Sequence, residues 1–271
     1  LETVGHTITS IEAADVLITD SLRKNPLLRV QTDIPIYYRP RSDILKLYRR
    51  HSLGYLRGRA NALVALQFVD GVIAPDPLVA AKLRRVSGAP VRTIPLPKDV
   101  CEYTVKRDET PLTQLLTLTN FDYRRKISPL RSWCEPVNEW CEENNAIWCV
   151  AGDGKYTGSF CSEIAEYDNI LYVGYVDPLD WLAESSVLLH PSELDIQYPN
   201  AILEGMASGL PVITNDYAPF MESQNPTAYA DDDLKHLLTQ YHDHVDEAGR
   251  EYVAQQHSPE TIGRQYSQVI A

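Results

Sequence analysis

The stretch whose reading decides the fold is His190-Pro191-Ser192-Glu193-Leu194-Asp195-Ile196-Gln197-Tyr198-Pro199-Asn200-Ala201-Ile202-Leu203-Glu204-Gly205-Met206-Ala207-Ser208-Gly209-Leu210-Pro211-Val212-Ile213. A short apolar strand ends at His190-Pro191-Ser192, and a polar loop follows. A helix starts near Asn200, whose side chain is suited to cap it. Gly209 is a natural C-terminal stop, and Pro211 opens the next strand. The first-turn N–H groups of Asn200, Ala201 and Ile202 lack intrahelical partners and carry the positive end of the helix dipole, so they favour an anion. In open α/β folds such a helix start faces the carboxyl edge of the sheet, where ligands bind. Glu204, one turn in, can accept hydrogen bonds from a vicinal diol such as ribose. A diphosphate joined to a ribose fits both features; the plain alternative is a surface glutamate on an ordinary helix.

The pattern around this stretch repeats. Ala14–Asp20, Gly71–Ala74, Gln114–Thr119, Ala146–Ala151, Ile170–Val173, Val187–His190 and Pro211–Thr214 are short apolar runs bounded by Gly, Pro, Asn and Asp. Such runs suit parallel strands covered on both faces. Helical patterns lie between them, over 43–67, 77–87, 128–143 and 178–184. The alternation predicts an α/β chain of doubly wound, Rossmann-like domains. The proline-marked stretch from Ile94 through Lys98 to Pro111 is the linker candidate, because proline disfavours helix on both sides of itself. It divides the chain into residues 1–105 and 106–271. Ser258-Pro259-Glu260 starts a last helix, expected to pack back.

Composition narrows the classes. The 271 residues carry 25 Lys+Arg against 37 Asp+Glu, a net charge of −12. The first hundred residues are basic (+6) and the remainder acidic (−18). An acidic chain argues against nucleic acid as a partner. The five cysteines, Cys101, Cys134, Cys141, Cys149 and Cys161, are odd in number and show no Cys-x-x-Cys spacing. Inert buried thiols in a reducing cytoplasm are therefore expected, with no structural zinc. His242-x-His244 has no second ligand pair, so no metal site and no cofactor is expected. No apolar run is long enough to span a bilayer. The chain opens on Leu1 without a leader pattern, as an internal start within a longer parent would.

The segment 190–213 resembles the donor-site signature of family 4 of the retaining glycosyltransferases: Pro-Ser, then Glu-x7-Glu, then Ala-x-Gly-x-Pro-Val-Ile. Val150-Ala151-Gly152-Asp153-Gly154 is similar to that family's strand followed by Gly-Asp-Gly. Ile170–Val176 is similar to its next strand, which ends in Gly and passes the nucleobase. The resemblance is clear over 112–216 and weaker before. It implies a GT-B fold, two Rossmann-like domains facing a cleft, with the N-terminal domain incomplete in this chain. It implies transfer of a sugar from a nucleotide-diphosphate donor to an acceptor hydroxyl with retention. Under it, Glu204 binds the ribose, the backbone of Asn200, Ala201 and Ile202 holds the diphosphate, Val176 contacts the base through its main chain, and Gly152 belongs to the donor-binding set.

Two positions depart from the signature. The family's Gly-Arg after the domain's first strand is replaced by Thr119-Asn120, leaving Arg124, Arg125 and Lys126 as candidate cations, with Arg125 preferred and Lys126 next. Eight residues before Glu204 stands Ile196, which cannot hydrogen-bond a sugar. Asp195 is the replacement across a one-residue insertion, and Glu193 is the other candidate. In the basic half, Gly5-His6 resembles the family's Gly-His, and Asp33 is read as lying just past a strand, either facing the cleft or as a turn residue. Lys46–Arg59 interleaves basic residues with Leu and Tyr, which suits an acceptor phosphate or a peripheral contact at the inner membrane face. Two other classes fit part of this pattern: a non-catalytic donor-binding homologue and a nucleotide-sugar epimerase.

Overall fold

The computed structural model describes residues 10, 13–20, 29, 32–40, 60, 63–103, 113–221 and 233–270. Gly5-His6 and Lys46–Arg59 lie outside the described residues. The elements of the basic half are β1 (Leu17–Thr19), β2 (Ile36–Tyr38), β3 (Gly71–Ala74), α1 (Pro77–Arg84) and β4 (Val91–Thr93). Next come β5 (Gln114–Leu118), α2 (Arg124–Asn144), β6 (Ile147–Ala151), α3 (Thr157–Ile164), β7 (Ile170–Gly174), α4 (Pro178–Ala183) and β8 (Val187–Leu189). The chain continues through α5 (Asn200–Ala207), β9 (Val212–Ile213), α6 (Ala218–Met221), α7 (Leu234–Tyr241), α8 (Glu247–Gln256) and α9 (Pro259–Ile270).

The chain divides into two compact units. The first runs to Pro97 and takes in Asp195–Gln197 and the stretch from Pro259 onward; the second comprises Lys98–Leu194 and Tyr198–Ser258. The break therefore lies at Pro97/Lys98 and not near residue 105. The proline-marked stretch ends its extended run at Asp99, whose carboxylate accepts from the Cys101 N–H (2.8 Å) and starts a 3₁₀ turn over Val100–Glu102.

In the first unit four parallel strands lie in the order β1-β2-β3-β4. Two of them, β2 and β4, escape the sequence reading. Each is only three residues long, and Pro35-Ile36-Tyr37-Tyr38-Arg39-Pro40 reads as loop between its prolines. Asp33 accordingly precedes β2 rather than following a strand. It stands at the amino end of that sheet. Ile36, Tyr38, Leu66, Val72, Val79 and Leu83 form the core, and Ile73 and Ile94 meet Ile262 and Tyr266 of α9. The Tyr37 hydroxyl donates to the Val269 carbonyl of the same helix (2.9 Å).

The second unit is a five-stranded parallel sheet in the order β7-β6-β5-β8-β9. The chain winds outward from β5 to β7, then returns to the other side of β5 with β8. That reversal makes the carboxyl ends of β5 and β8 the topological switch point. Thr117 ties the two strands there: its hydroxyl donates to the Leu189 carbonyl (2.7 Å) and accepts from the Trp148 ring N–H (3.0 Å). Helix α2 covers one face of the sheet with Ile127, Leu130, Trp133, Cys134, Val137, Trp140 and Cys141, a helical repeat of buried positions. Burying each of the large ones contributes about 1.5–3 kcal/mol, which offsets the cost of Pro129 and Pro136 inside the helix.

Cys134, Cys141 and Cys149 belong to this packing and are 0–4% exposed, whereas Cys101 is exposed. Burial pushes the thiols of Cys134 and Cys141 up to about 12 and that of Cys149 up to about 11. A folded-state value raised in this way contributes stability that is complete below the unfolded thiol value and lost as pH rises through the folded one. Alkylation near neutral pH is expected to label Cys101 first and to reach the three buried thiols only on unfolding. Stability should fall between the ordinary thiol value of 9.0 and about 12. Mass spectrometry of the alkylated protein and denaturation at stepped pH check the two parts.

Candidate active site

All the strands of the second unit are parallel, so the loops after β5, β6, β7 and β8 emerge at one edge. Three of these loops line a cavity of about 510 Å³: Leu118, Thr119, Asn120 and Asp122 from the first, Ala151 to Gly154 from the second, and Tyr175, Val176 and Pro178 from the third. Gly152 and Val176 are both in its wall.

Backbone packing holds this wall. Gly152 has φ +140° and Gly154 φ +150°. A Cβ at Gly152 would run into the Thr119 carbonyl, and one at Gly154 into the backbone of Phe121 and Asp122. The main chains are joined where side chains are absent: Phe121 donates to Asp153 (2.9 Å), Tyr156 to Phe121 (3.0 Å) and Gly152 to Gly174 (2.8 Å). The Tyr172 hydroxyl adds a bond to the Gly152 carbonyl (2.7 Å). Gly152-x-Gly154 is therefore a close approach of two loops, and Thr119-Asn120 is pinned beneath it.

The loop after β8 is placed through its own backbone N–H groups. His190 N–H donates to Ile213 O (2.8 Å), Ser192 N–H to Asn215 Oδ1 (2.8 Å), and Leu194 N–H to the Ser192 hydroxyl (3.2 Å). Pro129 has no N–H, so the carbonyl of Arg125, four residues earlier in α2, has no helical donor. The Glu193 N–H fills it at 3.0 Å. The Arg125 guanidinium lies 3.9 Å from the Glu193 carboxylate, both about half exposed. Arg125 thus stands at the switch point beside the loop that leads to α5. Lys126 follows it in the first turn of α2, partly buried.

Helix α5 is entered through Pro199, whose extended backbone (φ −66°, ψ 159°) occupies the capping position. Asn200 is therefore the first helical residue and does not cap; no side chain does. The first-turn amides of Asn200, Ala201 and Ile202 are left for solvent or a ligand. The helix closes as expected at Gly209 (φ +69°), with Gly209 N–H bonded to Met206 O (2.9 Å) and Leu210 N–H to Gly205 O (2.9 Å). Before Pro199, the Tyr198 hydroxyl accepts from that of Tyr252 (2.9 Å) and its ring packs on His257.

Glu204 carries a partner that the sequence reading missed. Lys98 Nζ donates to Glu204 Oε1 at 2.9 Å and to the Tyr103 hydroxyl at 3.3 Å, with only 12% and 15% of the Lys98 and Glu204 side chains exposed. Burial pulls the Lys98 ammonium down, but the attraction and hydrogen bond of Glu204 outweigh it, so Lys98 stands above the usual lysine value. Lys98 reads as a linker residue, and nothing local points across the 106 positions that separate the pair.

The residues offered in place of the signature's first glutamate divide between the two units. Ile196 is buried in the core of the first unit, and the Gln197 N–H donates to Asp76 Oδ2 (3.2 Å) there. Asp76, 2% exposed, also caps α1 through the Val79 N–H (2.7 Å). Asp195 is half-buried and belongs to that same unit; Glu193 is exposed and faces Arg125. Among the described residues no group of His, Cys, Asp or Glu could hold a metal, and no helix is long and apolar enough to cross a membrane.

Gly152→Ala is expected to destabilise the second unit by about 1–3 kcal/mol, the scale of a residue held in strained backbone. Gly158→Ala, where a Cβ meets nothing, should be neutral or stabilising by up to about 1 kcal/mol. Urea denaturation of the two variants beside the parent chain tests the contrast.

Comparison with known proteins shows what this geometry is similar to. Residues 116–243 match the family described as Glycosyl transferases group 1. A putative glycosyltransferase, ORF31, from a virus (isolate Australia/Victoria) is 28% identical over 270 residues, covering 94% of this chain and 85% of its own. Among solved structures, TarM of S. aureus superimposes with a TM-score of 0.76 at 14% identity over 94% of this chain, which spans 55% of TarM. Sucrose-phosphate synthase from Thermosynechococcus elongatus gives 0.74 at 20% identity, over 94% of this chain and 72% of that one. Alr3699/HepE of Anabaena, in complex with UDP and glucose, gives 0.73 at 14% identity, over 94% and 77%. The α/β architecture matches the GT-B fold of these solved structures, and residues 116–243 are similar to the glycosyl transferases group 1 family.

Proposed function

We propose that the chain is a glycosyltransferase that takes a sugar from a nucleotide-diphosphate donor and transfers it to an acceptor hydroxyl with retention, as in family 4. One observation carries the reading: α5 presents an uncapped first turn at the carboxyl edge of the sheet, with Glu204 one turn inside it. The amides of Asn200, Ala201 and Ile202 hold the diphosphate, and Glu204 takes the ribose hydroxyls. The base occupies the cavity walled by Gly152 and Val176. As the bond to the sugar breaks, negative charge grows on the departing diphosphate. The helix start, Arg125 and Lys126 stabilise it, and fixed donors of this kind need no rearrangement at the moment of reaction. The solved complexes of the Anabaena relative contain UDP and UDP-glucose, which supports a nucleotide-sugar of that class. We assign the acceptor to the first unit, where the basic segment 46–59 favours a phosphate-bearing or lipid-linked molecule and a peripheral membrane contact.

A second reading, donor binding without turnover, is favoured by Ile196, which is 5% exposed and packed in a core where the signature has a glutamate. Asp195 is the acidic group left to the transfer reaction. Release of nucleoside diphosphate in the presence of acceptor supports the transferase, and its loss in Asp195→Ala ties it to this loop.

A panel of nucleotide-sugars screened for thermal stabilisation identifies the donor, since a ligand that binds only the folded state raises its melting temperature. With that donor's nucleoside diphosphate, Glu204→Gln should weaken binding about tenfold and Glu204→Ala further, because a bond to a charged group is worth about 1.5–3 kcal/mol. The parent chain should prefer ribose over 2′,3′-dideoxyribose, and Glu204→Ala should lose that preference. Equal discrimination by both proteins defeats the donor-site assignment.

Changing Arg125 and Lys126 together to Ala should weaken diphosphate binding by about 1.5–3 kcal/mol for each charge-assisted bond removed. Calorimetry showing unchanged affinity assigns both to a solvated face.

A further inference from the structure

Glu204 can serve a ribose only if its carboxylate is held in one orientation, and the structure shows what holds it. Lys98 Nζ reaches Oε1 at 2.9 Å, and among the described residues Oε2 accepts from none. The ammonium is itself fixed from a second side by the Tyr103 hydroxyl at 3.3 Å, over whose ring it also lies, 5.5 Å from the centroid.

The segment bearing both groups is docked by its backbone. Lys98 N–H donates to His257 O (2.8 Å). The Arg250 guanidinium of α8 donates to Tyr103 O (2.6 Å) and Val100 O (3.1 Å), and also to Ala207 O, the last residue of α5. Arg250 thus fastens residues 100–103 to the end of α5, while Lys98 fastens Glu204 in its middle. A lone carboxylate at this depth would be free to rotate between two weak orientations. Paired through one oxygen, it has one, with the other oxygen available to accept.

We infer that Lys98, together with Tyr103, is a positioning residue that holds Glu204 Oε1 and so presents Oε2 to the ribose diol. The inference rests on the donor-site reading above. It makes recognition of the ribose depend on a side chain that touches no part of the donor. Selectivity for ribose should then respond to Lys98 while affinity for the rest of the nucleotide does not.

The test uses the 271-residue chain and the tightest-binding of uridine, guanosine and adenosine diphosphates, each titrated against its own 2′,3′-dideoxy analogue. In the parent chain the ribose form should bind about tenfold or more tightly. Lys98→Met should reduce that ratio to about threefold or less, with affinity for the dideoxy form unchanged, and Lys98→Arg should restore most of it. Tyr103→Phe, which keeps the ring and removes only the hydroxyl, should give an intermediate ratio and reads the same role if Lys98→Met does not fold. A ratio kept in Lys98→Met and Tyr103→Phe, or ribose affinity that rises in them, overturns the positioning role. Equal weakening of both nucleotides overturns it as well, because it marks Lys98 as a direct phosphate contact. If Glu204→Ala loses the ratio and Lys98→Met does not, only this inference fails; if Glu204→Ala keeps it, the donor site fails and the inference with it.

Discussion

The reversal of strand order at β5 is the constraint from which the second unit is built. A parallel sheet whose connections run one way from β5 and then the other must leave two neighbouring loops splayed at the carboxyl edge. Thr117 shows how closely the strands are held just below that point, its hydroxyl spanning from β5 to the end of β8. Above it the chain separates into the turn that begins α2 and the loop that leads to α5. Everything assigned to the donor depends on this fork, because Arg125 lies on one branch and the uncapped helix start on the other.

Much of this was legible from residue types. The alternation of short apolar runs with helical patterns locates seven of the nine strands among the described residues, and Gly209 marks the end of α5 because a left-handed residue is needed there. Gly152-x-Gly154 signals a close backbone approach. Two strands escaped because three residues between prolines or beside a charge carry too little periodicity to be seen. Asn200 was misread as a cap because local preference favours asparagine there, while the extended conformation of Pro199 had already taken the position.

Other features were illegible in principle. The Lys98–Glu204 pair is made by tertiary folding alone, between a segment that reads as a proline-rich connection and a helix far along the chain. The place of Ile196 is likewise a tertiary fact: its apolar side chain, foreign to a sugar site, completes a core built mainly from the first hundred residues. A departure from the signature here marks a residue recruited to packing.

Pro129 has a consequence for how this molecule can change over generations. By withholding one N–H it frees the Arg125 carbonyl, and the Glu193 N–H that fills the gap belongs to the main chain. A tether made backbone to backbone is blind to which side chains flank it. The loop between β8 and α5 can therefore exchange its acidic, apolar and aromatic residues, and with them its chemistry, while its attachment to α2 survives each exchange. The residue least free to vary is then the proline itself, since replacing it gives the helix back a donor with its own claim on that carbonyl.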